Sequence, residues 1–160
     1  MLKEKIKWNE KYKTLTLKPP SPLLNYIPNT TNKKALDLAG GLGRNAYELV
    51  KKGYVVDLID ISDIAISKIN HPKINTFCLD LDNYIIPQNE YDVIIKIKYF
   101  NLNLLKQITN VLKKDGYFIF ETIPKYSISK NEFFEIFKSF DIIHFNENPF
   151  QYVGVKRGCN

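Results

Sequence analysis

The stretch Asp37-Leu38-Ala39-Gly40-Gly41-Leu42-Gly43-Arg44-Asn45 runs from apolar residues into consecutive glycines that open an amphipathic segment. Glycine at such a turn lets the backbone approach a ligand closely. Asp60, seventeen residues beyond Gly43, ends the next apolar run, Tyr54-Val55-Val56-Asp57-Leu58-Ile59. A carboxylate at that place can accept both hydroxyls of an adenosine ribose, which is nucleoside chemistry. The loop alone leaves two ligands open. Gly41-Leu42-Gly43-Arg44-Asn45-Ala46 also satisfies G-x-G-x-x-A, the pattern that seats a dinucleotide pyrophosphate on a helix N-terminus.

Charge favours one of the two. Asp37 stands four residues before Gly41, and a carboxylate so near the loop suits the ammonium and sulfonium of S-adenosylmethionine better than a pyrophosphate. A third apolar run ends in Cys78-Leu79-Asp80-Leu81-Asp82, where Asp80 can take the adenine amino hydrogen and Leu81 can lie against the ring. Too little chain follows Asp37 for the separate substrate domain that many dehydrogenases carry.

These residues need a parallel sheet covered on both faces to hold them, and the sequence is patterned for one. Strands are expected over residues 35–39, 54–59, 74–79, 91–97 and 117–122. Helices are expected over 44–52, from a Ser62 cap to about 69, over 102–113 with Leu104, Leu105, Ile108, Val111 and Leu112 inward, and over 131–137 behind a Ser129 cap. Pro124 stops the fifth strand, and the gap from Asp80 to Tyr91 is too short for a crossover helix, so a loop or single turn is expected there. Residues 140–145 and 151–156 read as a final antiparallel pair. Ahead of the sheet, residues 1–33 form a leader: a Lys-rich start, Trp8 to Tyr12 in sequence, the break Pro19-Pro20-Ser21-Pro22, and a short helix at Leu23-Leu24-Asn25-Tyr26-Ile27.

In this order the segments resemble the class I S-adenosylmethionine-dependent methyltransferases, and within them the small tellurite-resistance and thiopurine-like methyltransferases. The resemblance spans most of the chain, including Trp8-Asn9-Glu10-Lys11-Tyr12, Leu36-Asp37-Leu38-Ala39-Gly40-Gly41-Leu42-Gly43-Arg44-Asn45, Val56-Asp57-Leu58-Ile59-Asp60-Ile61-Ser62, Asp80-Leu81-Asp82-Asn83-Tyr84, Tyr91-Asp92-Val93-Ile94 and Leu112-Lys113-Lys114-Asp115-Gly116-Tyr117-Phe118-Ile119-Phe120-Glu121-Thr122. It implies a doubly wound, Rossmann-like α/β fold with seven strands in the order 3-2-1-4-5-7-6, the seventh antiparallel. It implies one methyltransferase domain over 1–160, with 1–33 as leader or lid and 34–160 as core. The cofactor site it implies comprises Asp37, Ala39, Gly40, Gly41 and Gly43 on the loop, Arg44 reaching the methionine carboxylate, Asp60 and Ile61 at the ribose, Asp80 and Leu81 at the adenine, and Lys98 near the sulfonium. Two departures stand out. Ala39 replaces the first glycine of the usual triplet, and Gly40 stands where these relatives often carry Cys.

Methyl transfer from a sulfonium is an in-line displacement, so the protein holds the acceptor and methyl about 3 Å apart and excludes water. It needs no metal, and thiolate, selenium or tellurium acceptors attack without a general base. No residue announces itself as a base. Tyr99, Asn101, Glu121 and His144 are candidates with ordinary packing, capping or solvated alternatives. Trp8, Tyr12 and Tyr26 fit either a lid over the site or simple packing. Asn148-Pro149-Phe150-Gln151-Tyr152 is similar to the motif of amino-methylating DNA enzymes, but its place before the last strand makes it a turn.

Composition limits the partners. The 160 residues carry a net charge of +6, from 21 Lys and 2 Arg against 17 acids. The lysines are scattered rather than striped, so a solvated surface is favoured over a nucleic-acid interface and a small-molecule acceptor is expected. Methylation of RNA or protein, a nicotinamide-dependent oxidoreductase and a non-catalytic cofactor-binding protein remain alternatives. No apolar stretch reaches the ~18 residues of a membrane span, and the start lacks a secretory apolar segment, so the chain reads as cytoplasmic. Cys78 and Cys159 form no CxxC and read as free thiols.

Overall fold

The computed structural model describes residues 2–123 and 128–158. Pro124 and Cys159, with the strand stop and thiol expected at them, lie outside the described residues. Among the described residues seven strands, numbered β1 to β7 in chain order (Lys33–Leu38, Tyr54–Asp60, Ile74–Cys78, Val93–Ile97, Tyr117–Thr122, Phe140–Asn146 and Phe150–Lys156), follow the order β3-β2-β1-β4-β5-β7-β6. This is the expected doubly wound, Rossmann-like order, and β7 runs antiparallel to both β5 and β6. The chain divides into two compact units, Met1–Tyr84 and Ile85–Asn160.

In the first unit, β1 (Lys33–Leu38), β2 (Tyr54–Asp60) and β3 (Ile74–Cys78) pair in parallel. Ala35, Leu36, Leu38, Val56 and Leu58 are completely buried, each large side chain contributing about 1.5–3 kcal/mol of transfer free energy. Burial on both sides explains why β1 and β2 read as continuous apolar runs rather than alternating ones, whereas the edge strand β3 is mostly exposed. Register sets the strand ends: Leu38 lies beside Ile59, and Asp60 beside Cys78. Thus Asp37 and Asp60 finish neighbouring strands at the same edge. Helix α2 (Arg44–Lys51) follows β1, and Gly53, at φ 99°, turns the chain into β2.

Helix α3 (Asp63–Ser67) is capped by Ser62, whose Oγ accepts from Ala65 N at 3.0 Å. It ends two residues before the expected boundary. Its last amides, Lys68 and Ile69, bond three residues back, and Pro72 then keeps His71 out of helical backbone. The leader holds an element that its sequence does not announce. Residues Leu2–Tyr12 form helix α1, although none of them is buried. A 3₁₀ turn at Pro22–Tyr26, capped by Ser21, takes the place of the expected short helix and buries Leu23 and Leu24.

In the second unit, β4 (Val93–Ile97) and β5 (Tyr117–Thr122) are parallel, and β7 (Phe150–Lys156) joins β5 to the edge strand β6 (Phe140–Asn146). Helix α4 (Leu102–Val111) buries Leu104, Leu105, Ile108 and Val111, as its periodicity requires. Helix α5 (Lys130–Ile136) brings Phe133 into a ring cluster: Phe133 and Phe137 lie 4.7 Å apart, Phe118 and Phe137 5.0 Å, and Phe133 and Tyr152 4.7 Å. The aromatic run in this helix is therefore core. Between β3 and β4 the connection contains only a 3₁₀ turn, Leu81–Asn83. Among the described residues no helix is long and apolar enough to cross a membrane.

Candidate cofactor site

Three left-handed residues shape the loop after β1: Ala39 at φ 57°, Gly41 at 58° and Gly43 at 86°. Gly43 N bonds back to Gly40 O at 3.0 Å, and Gly43 O accepts from Tyr47 N to start α2. Only Ala39 carries a side chain in this conformation, which costs about 1–2 kcal/mol relative to glycine. Gly40 keeps ordinary backbone but has no space. A Cβ there would lie 2.6 Å from Leu58 and 2.8 Å from Asp37 Oδ2.

Asp60 secures the loop from the end of β2. Its Oδ2 accepts from Gly41 N at 2.8 Å and its Oδ1 from Ser62 N at 2.9 Å. Burial raises its pKa, and these amide bonds oppose the rise. The Ile61 amide bonds this carboxylate as well, and the acceptor capacity that remains can receive a ligand hydroxyl.

Asp37 is in the opposite situation. It is 2% exposed, and its Oδ2 has no hydrogen-bond partner among the described residues. Burial, reinforced by Asp60 and opposed by Arg44, pushes its pKa up to about 7. A buried acceptor left unpaired costs roughly 1–3 kcal/mol. A donor cation such as an ammonium would satisfy that acceptor and restore the charge. Asp80 repeats the pattern at the next strand end: its Oδ1 accepts from Asp82 N at 2.9 Å while its buried Oδ2 is unpaired among the described residues. Leu81, beside it, is 6% exposed.

The leader reaches this loop. A Cβ at Gly41 would meet Tyr12 Oη at 2.6 Å, so the hydroxyl lies against the glycine backbone. Burial, then Asp60 and Asp37, push the Tyr12 hydroxyl well above the usual phenol range. Helix α1 is anchored by Asn9, which donates to Asp63 Oδ1 at 2.8 Å and accepts from Ser62 Oγ at 2.5 Å. The Lys68 ammonium also donates to Tyr12 O. Trp8 stacks on Tyr12 at 5.7 Å.

Asp37, Ala39, Gly40, Gly41, Gly43, Asp60 and Ile61 thus meet around one loop, with Arg44 at the start of α2 giving one hydrogen bond to Pro19 O. Asp80 and Leu81 sit beyond the strand that pairs with Asp60. Lys98 belongs to the second unit, where it lies one residue past β4 with φ 60° and an exposed side chain. Of the four candidate bases, Asn101 caps α4, accepting from Leu104 N at 3.1 Å. Glu121 accepts from Gln151 Nε2 at 3.2 Å, and His144 Nε2 lies 3.4 Å from Gln151 Oε1. Tyr99 lies over a buried lysine, Lys96, that the sequence reading passed over; its only signal was a charge inside Val93-Ile94-Ile95-Lys96-Ile97. Asn148-Pro149 forms the β6–β7 turn, with Asn146 Nδ2 donating to Pro149 O at 2.8 Å.

A seven-strand sheet in this order, with a glycine loop and acids at its strand ends, defines the class I methyltransferases. A family model described as a methyltransferase domain matches residues 12–151, and the chain belongs to that family. It is an S-adenosylmethionine-dependent methyltransferase. No curated protein matches its sequence. Among solved structures, a TehB-like S-adenosylmethionine-dependent methyltransferase from Corynebacterium glutamicum is similar over 99% of this chain and 100% of its own, at 16% identity and a TM-score of 0.70. An S-adenosylmethionine-dependent methyltransferase from Mesorhizobium loti matches over 84% and 95%, also at 16% identity and a TM-score of 0.70. A geranyl diphosphate C-methyltransferase from Streptomyces coelicolor, in complex with S-adenosylhomocysteine, matches over 85% and 77% at 11% identity and a TM-score of 0.67. The likeness at these identities is one of fold.

Proposed function

We propose that S-adenosylmethionine binds on the 37–43 loop of this chain and that its methyl group passes to a small, soft acceptor: a sulfur, selenium or tellurium nucleophile. The observation that carries the binding site is the buried, unpaired Asp37 Oδ2 beside the glycines. It suits the ammonium of the cofactor's methionine half, while Asp60 serves the ribose and Asp80 with Leu81 the adenine. Arg44 meets the methionine carboxylate, and Ala39, Gly40, Gly41, Gly43 and Ile61 supply backbone and wall. Lys98 is assigned to the acceptor side.

When bound, the cofactor supplies an electrophilic methyl group. The chain's own part is to orient it, exclude water and present the acceptor in line. A soft acceptor is favoured because Asn101, Glu121 and His144 have hydrogen-bond partners of their own, and soft nucleophiles need no base. Within one methyltransferase domain over 1–160, the leader 1–33 acts as the lid, with Tyr12 its inner surface. The scattered lysines support a small-molecule acceptor in the cytoplasm over a nucleic acid.

Thermal melting with S-adenosylhomocysteine, S-adenosylmethionine, NAD and NADP side by side tests this. Ligand at about 100 times its dissociation constant adds about 2.7 kcal/mol, a rise of several degrees for a domain of this size. A shift with the two adenosyl sulfur compounds alone supports the site. A shift with NAD alone overturns it. Methyl-labelled S-adenosylmethionine offered with benzenethiol, selenite, tellurite and bulk RNA then separates the acceptor classes.

A further inference from the structure

Strand β4 contains a fully buried lysine in its apolar run. Lys96 is 0% exposed, and its Nζ donates to Asn101 O at 2.7 Å. The same amine lies 5.4 Å from the Tyr99 ring centroid and 5.7 Å from that of Phe100. Asn101 is no ordinary loop residue. Its carbonyl also accepts from Leu105 N at 3.2 Å, and its side chain caps α4. The other end of the segment is tied where Lys98 N donates to Glu121 O at 2.7 Å. Residues 98–101 are thus held at one end by β5 and at the other by the Lys96 amine.

We propose that Lys96 is a positioning residue: its buried amine holds the segment 98–101 against the end of β4 and so fixes the acceptor side of the methyltransferase. That this segment faces the acceptor rests on the proposed function; the latch itself does not. Burial alone lowers the Lys96 pKa to about 7, with no charged group of any neighbouring element contributing. Glu121 stands beside Ile97 rather than Lys96 and so projects from the other face of the sheet. Lys98, Lys106 of α4 and Lys130, Glu132 and Glu135 of α5 are all exposed. When the segment opens, the amine meets water and regains an ordinary lysine pKa near 10.4. Closing therefore releases one ammonium proton to solvent. Between about pH 7 and 10 the closed-to-open ratio rises about tenfold per pH unit, and below 7 it is level.

Carbon-13 NMR of the full chain, labelled at Lys Cε and in the Phe rings, reads this between pH 6 and 9. Phe100 does not ionise, so any titration of its ring reports the amine beneath it. The Lys96 Cε and the Phe100 ring are expected to titrate together, with a midpoint near 7, and the ring titration is expected to vanish in Lys96→Met. A Lys96 Cε that does not titrate between pH 6 and 9, or a Phe100 titration that persists in Lys96→Met, overturns the latch. Lys96→Arg is always charged and is expected to show the low-pH ring position throughout; where it does not fold, Lys96→Met decides. With benzenethiol as acceptor, Lys96→Met is expected to lower kcat at least tenfold and flatten its pH profile at unchanged S-adenosylhomocysteine affinity. Unchanged kcat and profile overturn the positioning role. If S-adenosylhomocysteine binds but wild-type protein leaves benzenethiol unmethylated, the soft-acceptor reading fails, and the NMR titration still decides the latch.

Discussion

Gly40 shows how one neighbour fixes a residue choice. Relatives that it resembles often carry Cys there, but in this chain the space belongs to Leu58, which is completely buried in β2. Gly40→Ala is expected to cost about 1–3 kcal/mol in urea unfolding through overpacking, and Leu58→Val in the same chain to return part of that cost. Strictly additive costs would mean that Leu58 is not the obstacle. Asp37 makes a second prediction through charge. Its pKa lies near 7 without a partner, and a bound ammonium would hold it ionised, so binding releases a proton when the pH is below 7. S-adenosylhomocysteine affinity should therefore fall about tenfold per pH unit below 7 and level off above it. Asp37→Asn should weaken binding and remove the slope, and calorimetry from pH 5.5 to 8 in two buffers measures both.

At the level of elements, legibility followed the source of each element's stability. The inner strands β1, β2 and β4 were readable because burial on both faces forces continuous apolar runs. The glycine loop and Asp37, Asp60 and Asp80 were readable because left-handed backbone and strand-end acids leave local marks. Helix α1 left no such mark, since none of its residues is fully buried and it is held by side chains of α3 and its cap that adjoin it only in space. Lys96 was hidden for the same reason: its partner, Asn101 O, is a backbone atom with no sequence signature. A helix held by a few polar bonds, each worth about 1 kcal/mol, is easily released. Asn9→Ala should speed proteolysis between residues 13 and 20 and accelerate S-adenosylhomocysteine release in stopped flow. An unchanged release rate would remove the lid role from α1.

Two buried ionisable groups with opposite charge logic shape the stability of the whole molecule. Asp37 binds a proton more tightly when folded, its pKa being about 7 against an ordinary 3.8. The folded state therefore holds the extra proton between these values, and stability falls as pH rises from about 4 to 7. Asp60, also raised by burial, adds to that fall. Lys96 acts in the reverse sense. Its pKa is about 7 folded against 10.5, so the unfolded chain holds the extra proton above 7 and stability climbs from there towards 10. At about 1.4 kcal/mol per pKa unit, each slope integrates to several kcal/mol, and the ligand-free protein should be least stable near neutrality. Urea midpoints measured from pH 4.5 to 9.5 should trace a trough. Asp37→Asn should flatten its acid side, Lys96→Met its alkaline side, and both variants should exceed wild type at pH 7. S-adenosylhomocysteine should flatten the slope of the acid side and lift the alkaline side uniformly without changing its slope, because its ammonium relieves Asp37 and leaves Lys96 untouched. A profile that rises steadily to a maximum at neutral pH would refute the burial of both charges.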